Sequence, residues 1–188
     1  MVKEIYRALL TAVIMLFTIP CGAQPKMREL FQRMPAEMLP YLTENSKLDF
    51  IDFLDSGMKA EVRNELGGKS EMLSLTDMSA DIQVSPSMRI TMHLMPVNEA
   101  VDSCNQVVCL ISTYGKDSPE SKVEVYSVQW KPLDVAAHLS LPQEPYIATF
   151  KFDTTVGLSL SKSTALNPVA YEEQKEELPW LKYIEWKP

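Results

Sequence analysis

The chain contains 188 residues, with 18 basic and 25 acidic side chains and a net charge of -7 at pH 7. Nucleic acids and anionic membrane surfaces are bound by clustered lysine and arginine side chains, and no stretch of this sequence holds more than two of them close together. The composition therefore argues against both of these partners. The length suits one domain with a well-buried core.

The first 23 residues have the three-part pattern of a secretory signal peptide. Lys3 and Arg7 precede an apolar run of twelve residues from Ala8 to Ile19, and a proline with three small residues follows at 20–23. A transmembrane helix needs about 20 apolar residues, so this run is too short to span a bilayer. We therefore predict that residues 1–23 are removed and that the mature chain, residues 24–188, is exported without a transmembrane segment.

The processing of this segment has two alternative products. Cleavage after Ala23 would release a soluble periplasmic or secreted protein, and the small residues Cys21 and Ala23 fit that site. Alternatively, Cys21 would become the lipidated first residue of a surface or membrane lipoprotein, for which Pro20 is an unfavourable preceding residue. Without residues 1–23 the chain keeps 16 basic and 24 acidic side chains, a net charge of -8.

Residues 24–66 carry apolar side chains at helical spacing, first from Met27 to Met34 and then along a longer helix. Asn45 or Ser46 can cap the start of the longer helix. Gly67-Gly68 mark its predicted end, because glycine is common just beyond a helix terminus. This helix is predicted to bury one stripe of side chains. They are Leu48, Ile51, Leu54 and Met58, widened by Phe50 and Phe53.

From residue 67 the apolar period changes to two, which is typical of β-strands. The clearest strand is Met88–Met95, in which apolar residues alternate with Arg89, Thr91 and His93, as expected for a sheet with one face in water. Its apolar residues form a methionine-rich face that could line a ligand pocket or a partner surface, because methionine adapts its shape readily. They are Met88, Ile90, Met92 and Leu94.

Further strands are predicted on either side of short loops. Gln106–Tyr114 is apolar on both faces and predicts a central strand, which pairs in a hairpin with Lys122–Trp130. Ile147–Phe152 and Val156–Ser161 predict a second hairpin that turns at residues 153–155. Short loops favour antiparallel pairing, because parallel strands need longer crossovers.

The mature chain holds two cysteines, Cys104 and Cys109. On an extended strand their Cα atoms would lie roughly 16 Å apart, whereas a disulfide needs about 7 Å or less. Val107 and Val108 between them favour a strand over a turn. We therefore predict two buried, unpaired thiols that behave as small hydrophobic side chains.

The C-terminal region contains two weaker helical segments, Leu133–Leu139 and Val169–Glu177. Large side chains then crowd the segment from Leu178 to Trp186, and a free tail would expose them to water. We expect this segment to dock on the domain and to offer aromatic side chains to a partner. The aromatic residues concerned are Trp180, Tyr183 and Trp186.

These patterns together predict an α+β fold in which N-terminal helices pack on a mainly antiparallel sheet. Residues 24–188 are predicted to form a single domain, with a helical part at 24–66 and a sheet part at 67–188. The sequence contains no internal repeat and no low-complexity linker that would divide it.

The motifs that come nearest to known chemistry are incomplete. Gly67-Gly68-Lys69-Ser70 ends like a phosphate-binding loop, but Arg63 replaces its first glycine and a helix is predicted where a strand is required. Gly157–Ser161 lacks the second glycine of a nucleophile elbow. No H-E-x-x-H or paired C-x-x-C motif indicates zinc. The sequence thus predicts no cofactor, no metal and no catalytic residue.

Three carboxylates recur on one side of the predicted helix, at Asp49, Asp52 and Asp55. Carboxylates at this spacing could act as acids and bases or bind a hard cation such as calcium. A solvated helix face explains them more simply, and no glycine-containing calcium loop surrounds them.

Two histidines, His93 and His138, complete the chemically interesting side chains of the mature chain. His93 lies on the polar face of its predicted strand and is expected to be an ordinary surface residue. His138 could form a thiol-imidazole pair with Cys104 or Cys109, but their separation in sequence does not place them together.

Three segments carry a resemblance to a known family: residues 39–43 with the sequence Leu-Pro-Tyr-Leu-Thr, Leu48–Phe53 and Leu66–Ser70. Over most of its mature length the chain resembles a family of exported proteins of unknown function from Bacteroidales. The resemblance implies a bacterial source and export. It implies no reaction, because that family has no established activity or functional residues.

Three functions are compatible with the sequence. The leading hypothesis is a non-enzymatic accessory or binding protein of the bacterial envelope, which contacts another envelope protein through the sheet and the aromatic C-terminal segment. The second is a carrier of an apolar small ligand on the methionine-rich face. The third is a hydrolase that uses Asp49, Asp52 or His138.

Overall fold

The computed structural model describes residues 24–117, 119–141, 148–152, 157–162 and 181–188, so the predicted signal peptide lies outside the described residues. A seven-stranded antiparallel sheet forms the central layer. Short helices cover one of its faces, and a three-stranded antiparallel sheet covers part of the other. The predicted α+β class is confirmed at this level, although strands make up most of the described structure.

The helices are short and lie mainly near the start of the described residues. Backbone hydrogen bonds define three α-helices and one 3-10 turn among the described residues. They are α1 (Met27–Gln32), the 3-10 turn (Ala36–Met38), α2 (Glu44–Asp55) and α3 (Val135–His138).

Helix α2 ends at Asp55, earlier than predicted. The backbone N–H groups of Gly57 and Met58 donate to carbonyls of the last turn at 3.0 and 2.8 Å, and Gly57 has a φ of 67°. This arrangement is a Schellman motif, in which glycine takes the left-handed conformation at little cost. The prediction that the helix runs to Gly67-Gly68 was wrong, because Gly57 already terminates it.

The buried stripe of α2 also differs from the predicted one. Phe50 is fully buried, whereas Leu48 and Met58 are 52% and 53% exposed. The helix is rotated about its axis relative to the predicted orientation, because Lys47 occupies a buried position. Its Nζ donates there to the carbonyl of Met34 at 2.6 Å. A lysine in this position satisfies a carbonyl just beyond the end of α1.

The large sheet is a meander, in which strands adjacent in the chain are adjacent in the sheet. All its strand pairs are antiparallel. The strands are β1 (Glu61–Arg63), β2 (Lys69–Leu75), β3 (Ser79–Ser85), β4 (Met88–Val101), β5 (Cys104–Tyr114), β6 (Glu120–Tyr126) and β7 (Pro132–Leu133).

The sheet begins inside the part that was predicted to be helical. β1 and β2 form a hairpin that turns at Gly67-Gly68, so these glycines form neither a helix end nor a phosphate-binding loop. Buried Asn64 holds the turn, because its Nδ2 donates to Ser70 Oγ and to the carbonyl of Val84, each at 3.1 Å. The predicted boundary at residue 66 therefore falls within a hairpin, and β1–β3 were missed.

The predicted hairpin of β5 and β6 is confirmed. β6 ends at Tyr126, before the predicted end at Trp130, because Trp130 lies in a turn with a φ of 61°. Its indole Nε1 donates to the carbonyl of Leu30 at 3.1 Å, which ties this turn to α1.

The small sheet comes from the C-terminal part of the chain, in the order β10-β9-β8. The predicted second hairpin is confirmed by the antiparallel pairing of β8 and β9, while its turn and the predicted helix Val169–Glu177 lie outside the described residues. The terminal segment docks as expected, since Ile184 and Trp186 are buried. The strands are β8 (Ala148–Phe152), β9 (Gly157–Lys162) and β10 (Leu181–Glu185).

Each face of the large sheet belongs to a separate apolar cluster. Met27, Phe31 and Phe50 from the helices pack on one face, and the small sheet packs on β4–β6 on the other. The prediction that the second face of β4 lies in water was wrong over this covered part. His93 is half-buried there, because the ring of Phe152 in β8 lies against it at a centroid distance of 4.2 Å.

Candidate functional site

A cleft of about 530 Å³ opens where the β5–β6 hairpin meets the edge of the small sheet. Its apolar part comes from Val123, Leu141 and Phe150, which are buried or partly buried. Its mouth is polar and exposed to solvent. The mouth is formed by Tyr114, Glu120, Ser121 and Lys122.

The hairpin register places these side chains at the mouth. Tyr114 pairs with Glu120 across the two strands, and the next pair is Thr113 with Ser121, whose hydroxyl oxygens lie 2.8 Å apart. Gly115 then turns the chain away with a φ of 94°, and its N–H donates to the carbonyl of Ser87 at 2.8 Å. The end of one hairpin therefore gathers an aromatic ring, two hydroxyls and a carboxylate.

A short chain of polar contacts runs along β6, beside the cleft. Lys122 Nζ lies 2.8 Å from Glu124 Oε1, and the hydroxyl of Tyr126 donates to the same oxygen at 3.1 Å. Burial, together with Glu124, raises the pKa of Tyr126 to about 12, so the phenol stays protonated at neutral pH. The Lys122 side chain is 66% exposed, so its ion pair is weak and can be exchanged for a carboxylate of a partner.

The methionine-rich face lies elsewhere, beneath the helices. Met88, Ile90, Met92 and Leu94 are only 0 to 7% exposed and pack in the cluster formed with α1 and α2. A ligand on this face would have to displace helical side chains. Its predicted role in ligand or partner binding stays a prediction.

The aromatic C-terminal residues occupy different environments. Trp186 is buried, donates from Nε1 to the carbonyl of Pro96 at 2.7 Å, and stacks on His138 at a centroid distance of 4.8 Å. Tyr183 is 45% exposed on β10, and Trp180 lies outside the described residues. Within the described part of this segment, the aromatic ring that reaches solvent is that of Tyr183.

The acidic residues of α2 and His138 lie on opposite sides of the large sheet. Asp49 and Asp52 are exposed on α2, whose buried side chains belong to the helix-side cluster. His138 stacks on Trp186, a member of the other cluster.

Asp55, the third carboxylate of α2, forms an ion pair with Arg28. The guanidinium nitrogens of Arg28 donate to the two carboxylate oxygens of Asp55 at 2.6 and 2.9 Å, and this contact lowers the pKa of the carboxyl. The structure therefore does not assemble the side chains of the hydrolase hypothesis.

The prediction of two buried, unpaired thiols is confirmed for Cys104 and Cys109. The imidazole opposite Cys109 in the β4–β5 pair is His93 and not His138. Burial raises the pKa of Cys109 to about 12 and lowers the pKa of His93. The expectation that His93 is an ordinary surface residue was wrong, because the small sheet covers it.

No sequence motif marks the cleft, because its residues come from the β5–β6 hairpin and from two later positions, Leu141 and Phe150. Over the part of the chain that the structure describes, no three His, Cys, Asp or Glu side chains converge as metal ligands. In that same part, every helix is too short or too polar to cross a membrane.

Comparisons with known proteins describe the family and the fold. None of the curated proteins matches this sequence. A solved structure described as a domain of an uncharacterized protein from Porphyromonas gingivalis W83 matches with a TM-score of 0.63 and 18% sequence identity, over 88% of this chain and 92% of that one. At this identity the match shows a shared fold. Residues 20–177 match the family DUF3256, described as a protein of unknown function, and the chain therefore belongs to that family.

Proposed function

We propose that this chain is an exported, non-enzymatic binding protein of the bacterial envelope, which contacts a partner protein through the cleft beside β6. The observation that carries the proposal is the cleft itself, with an apolar floor at Val123 and Phe150 and a polar mouth at Tyr114 and Lys122. Protein interfaces have this organisation, in which an apolar centre is surrounded by a polar rim.

The open mouth favours a protein over a small molecule as the occupant. Small-molecule sites cover most of the ligand surface. Here the rim is exposed, with Tyr114 at 47% and the Lys122 side chain at 66%, so a small molecule would leave one side in water. An apolar side chain of a partner protein can fill the floor while the rest of the partner covers the rim. Tyrosine is also among the residue types that most often contribute binding energy at protein interfaces.

The apolar-ligand carrier is less well supported as a function. Its methionine-rich face is filled by side chains of α1 and α2, so binding there requires both helices to move away from β4. We therefore propose the cleft as the binding surface, with Tyr183 on β10 as a second exposed aromatic position.

Export from a member of the Bacteroidales is proposed on different grounds. The signal-like pattern of residues 1–23 supports export, and the resemblance of residues 39–43, 48–53 and 66–70 to an exported family supports both export and source. The fold shared with a domain from Porphyromonas gingivalis is compatible with this source.

Photo-crosslinking from matched tyrosine positions tests the binding surface. Tyr114, Tyr41 and Tyr183 are 47%, 40% and 45% exposed, so a photoreactive phenylalanine analogue at each site meets solvent to a similar degree. In intact cells of the source bacterium we expect one defined envelope protein to crosslink from Tyr114 and not from Tyr41. Crosslinking from Tyr183 alone would show that the partner binds at β10 and not at the cleft. An absence of adducts at all three sites would contradict the proposal.

Purified components then test the contact directly. Lys122→Glu reverses a charge at the mouth and should weaken binding of the captured protein, because rim charges influence association. Lys116→Glu makes the same charge reversal at another exposed lysine, which lies outside the cleft lining, and serves as the control. Equal affinities for both variants would place the interface away from the cleft.

Export has its own test. Cell fractionation and mass spectrometry of the N-terminus should find the chain in the envelope with Gln24 as its first residue. A lipidated Cys21 would identify the lipoprotein alternative instead, and an unprocessed chain in the cytoplasm would contradict export.

A further inference from the structure

Three side chains with soft or borderline metal-ligand atoms share one face of the large sheet, where the small sheet covers it. His93 and Met95 are two residues apart on β4, so both side chains emerge on the same face. Cys109 on β5 is the direct cross-strand partner of His93. Met95 and Cys109 both belong to the apolar cluster beneath the small sheet.

The spacing of these positions suits a common ligand. Directly opposite residues of antiparallel strands have Cβ atoms about 4.5 to 5.5 Å apart, and diagonal neighbours remain within reach of long side chains. Residues two apart on one strand are separated by roughly 6.6 Å. The imidazole of His93 and the thioether of Met95 extend further from the backbone than the thiol of Cys109, so all three can converge above it.

We propose that His93, Met95 and Cys109 form a binding site for one soft monovalent metal ion, Cu(I). Thiolate and thioether ligands select Cu(I), and imidazole also accepts copper. This metal site is independent of the proposed partner-binding function, because its three residues lie outside the cleft lining.

Charge favours a monovalent ion at this position. Cys109 is fully buried and Met95 is 4% exposed, so an uncompensated charge beside them would be costly. Cu(I) bound to one thiolate is neutral overall, whereas Zn²⁺ bound to the same group would keep one positive charge. In the described residues no third His, Cys, Asp or Glu joins the group, as a typical zinc site would require.

Binding has a simple proton balance. Imidazole binds a metal through the lone pair of its neutral form. A cysteine binds as the thiolate, so the Cys109 thiol loses its proton when the copper-sulfur bond forms. Each Cu(I) bound therefore releases one proton to solvent, and no electron is transferred.

Phe152, the side chain that covers His93, determines how a metal ion can reach the proposed site. Phe152 lies against the ring of His93 at a centroid distance of 4.2 Å, and both rings are only partly buried. A metal ion can therefore enter past Phe152, whereas the Met95 and Cys109 side is closed by the rest of the cluster. Phe152→Ala should speed metal binding while it leaves the three ligands in place.

An anaerobic titration with Cu(I) against a chromophoric chelator tests the proposal, with Ag(I) as an ion of similar preference that does not cycle its oxidation state. We expect one ion per full chain. Affinity should fall by more than about 100-fold in Cys109→Ser and on the order of tenfold in His93→Phe and Met95→Leu. Binding of several ions, or none in competition with the chelator, would overturn the site.

The chain offers a matched control for each ligand. Cys104→Ser, His138→Phe and Met92→Leu change the other buried thiol, the other histidine and a methionine on the opposite face of β4, and each should keep full affinity. An equal loss in Cys104→Ser would show that the metal binds thiols without the proposed site.

X-ray absorption at the copper edge of the unmutated protein removes any dependence on variant folding. The proposed site predicts two sulfur ligands and one nitrogen ligand. A spectrum without a nitrogen ligand, or with oxygen ligands only, would overturn the assignment.

Discussion

The two faces of the seven-stranded sheet are covered in different ways. On the helix side, one continuous cluster runs from α1 and α2 across β3 and β4, where Ile82, Ile90 and Met92 are fully buried. On the other side, the small sheet covers β4–β6, while β1–β3 carry polar side chains. We call the helix-covered face the closed face, and the face that the small sheet covers only over β4–β6 the divided face. The cleft and the His93, Met95 and Cys109 group both lie on the divided face.

The polar part of the divided face is held by exposed ion pairs. Lys59 lies 2.8 Å from Glu61 and 3.1 Å from Glu71, and Asp81 pairs with Arg89 on the neighbouring strand. Lys59 lowers the pKa of Glu61. Exposed pairs of this kind contribute little stability each. The closed face is continuously apolar and is therefore expected to supply most of the stability, whereas the divided face holds the cleft beside the small sheet and the His93, Met95 and Cys109 group beneath it.

The largest effect is expected on the closed face. Phe50→Ala removes a fully buried ring that packs α2 on the sheet, and should lower the free energy of unfolding by about 3 to 5 kcal/mol. Leu48→Ala on the same helix is the control, and since Leu48 is 52% exposed its effect should stay within about 0.5 kcal/mol. Denaturant unfolding measures both, and equal losses would contradict the described rotation of α2.

A smaller loss is expected where the small sheet closes the divided face. Ile184 is 3% exposed on β10, an edge strand that can relax around a cavity. Ile184→Ala should therefore cost about 2 kcal/mol, at the low end for a buried aliphatic side chain. A calorimetric loss as large as that of Phe50→Ala would show that the two faces contribute equally to stability, which would contradict the difference between them.

Buried Lys47 offers a test of how α1 is attached to α2. Its Nζ donates to the carbonyl of Met34 at 2.6 Å and contacts Glu44 at 2.7 Å. Lys47→Met keeps the apolar stem but leaves the buried carbonyl without its donor, which should cost about 1 to 2 kcal/mol in denaturant unfolding. The exposed Lys59→Met is the control, with a change below about 1 kcal/mol. No difference between the variants would refute this role.

The smallest effect concerns the pH dependence of the divided face. Burial lowers the pKa of His93 in the folded chain below the ordinary value of 6.5. In the interval between these two values the unfolded chain binds more protons, so the free energy of unfolding falls as the pH decreases through 6.5 toward the folded pKa. His93→Phe should show a shallower decrease than the unmutated chain, and His138→Phe should not. Identical pH profiles for all three would contradict the coverage by Phe152.

Several features of the fold were predictable because they are local. The alternation in Met88–Met95 and the apolar run in Gln106–Tyr114 predicted β4 and β5, and the aromatic terminus predicted docking. β2 was missed because its buried positions include the polar Ser70 and because a register shift after Met72 interrupts the alternation. β3 does carry the alternation, with Ala80, Ile82 and Val84 buried, and the same pattern that predicted β4 would have found it.

The candidate sites were less accessible to prediction. Cys109 stands opposite His93 because two features set the register of the β4–β5 hairpin. Asp102 and Ser103 form its turn with φ values of 50° and 63°, and the pairing then shifts between Val101 and Pro96. Two residues with positive φ are typical of a tight hairpin turn, but asparagine and glycine are the usual signal for it. Without that signal, the register that joins the two side chains could not be inferred.

Local composition was sufficient to predict the α+β class, the antiparallel hairpins and the unpaired thiols, because strand periodicity and cysteine spacing depend on neighbouring residues. Tertiary structure alone decided that the polar side chains Lys47, Asn64 and His93 are covered. Burial of a residue depends on the layer above it, and that layer comes from distant parts of the chain, as Phe152 does for His93.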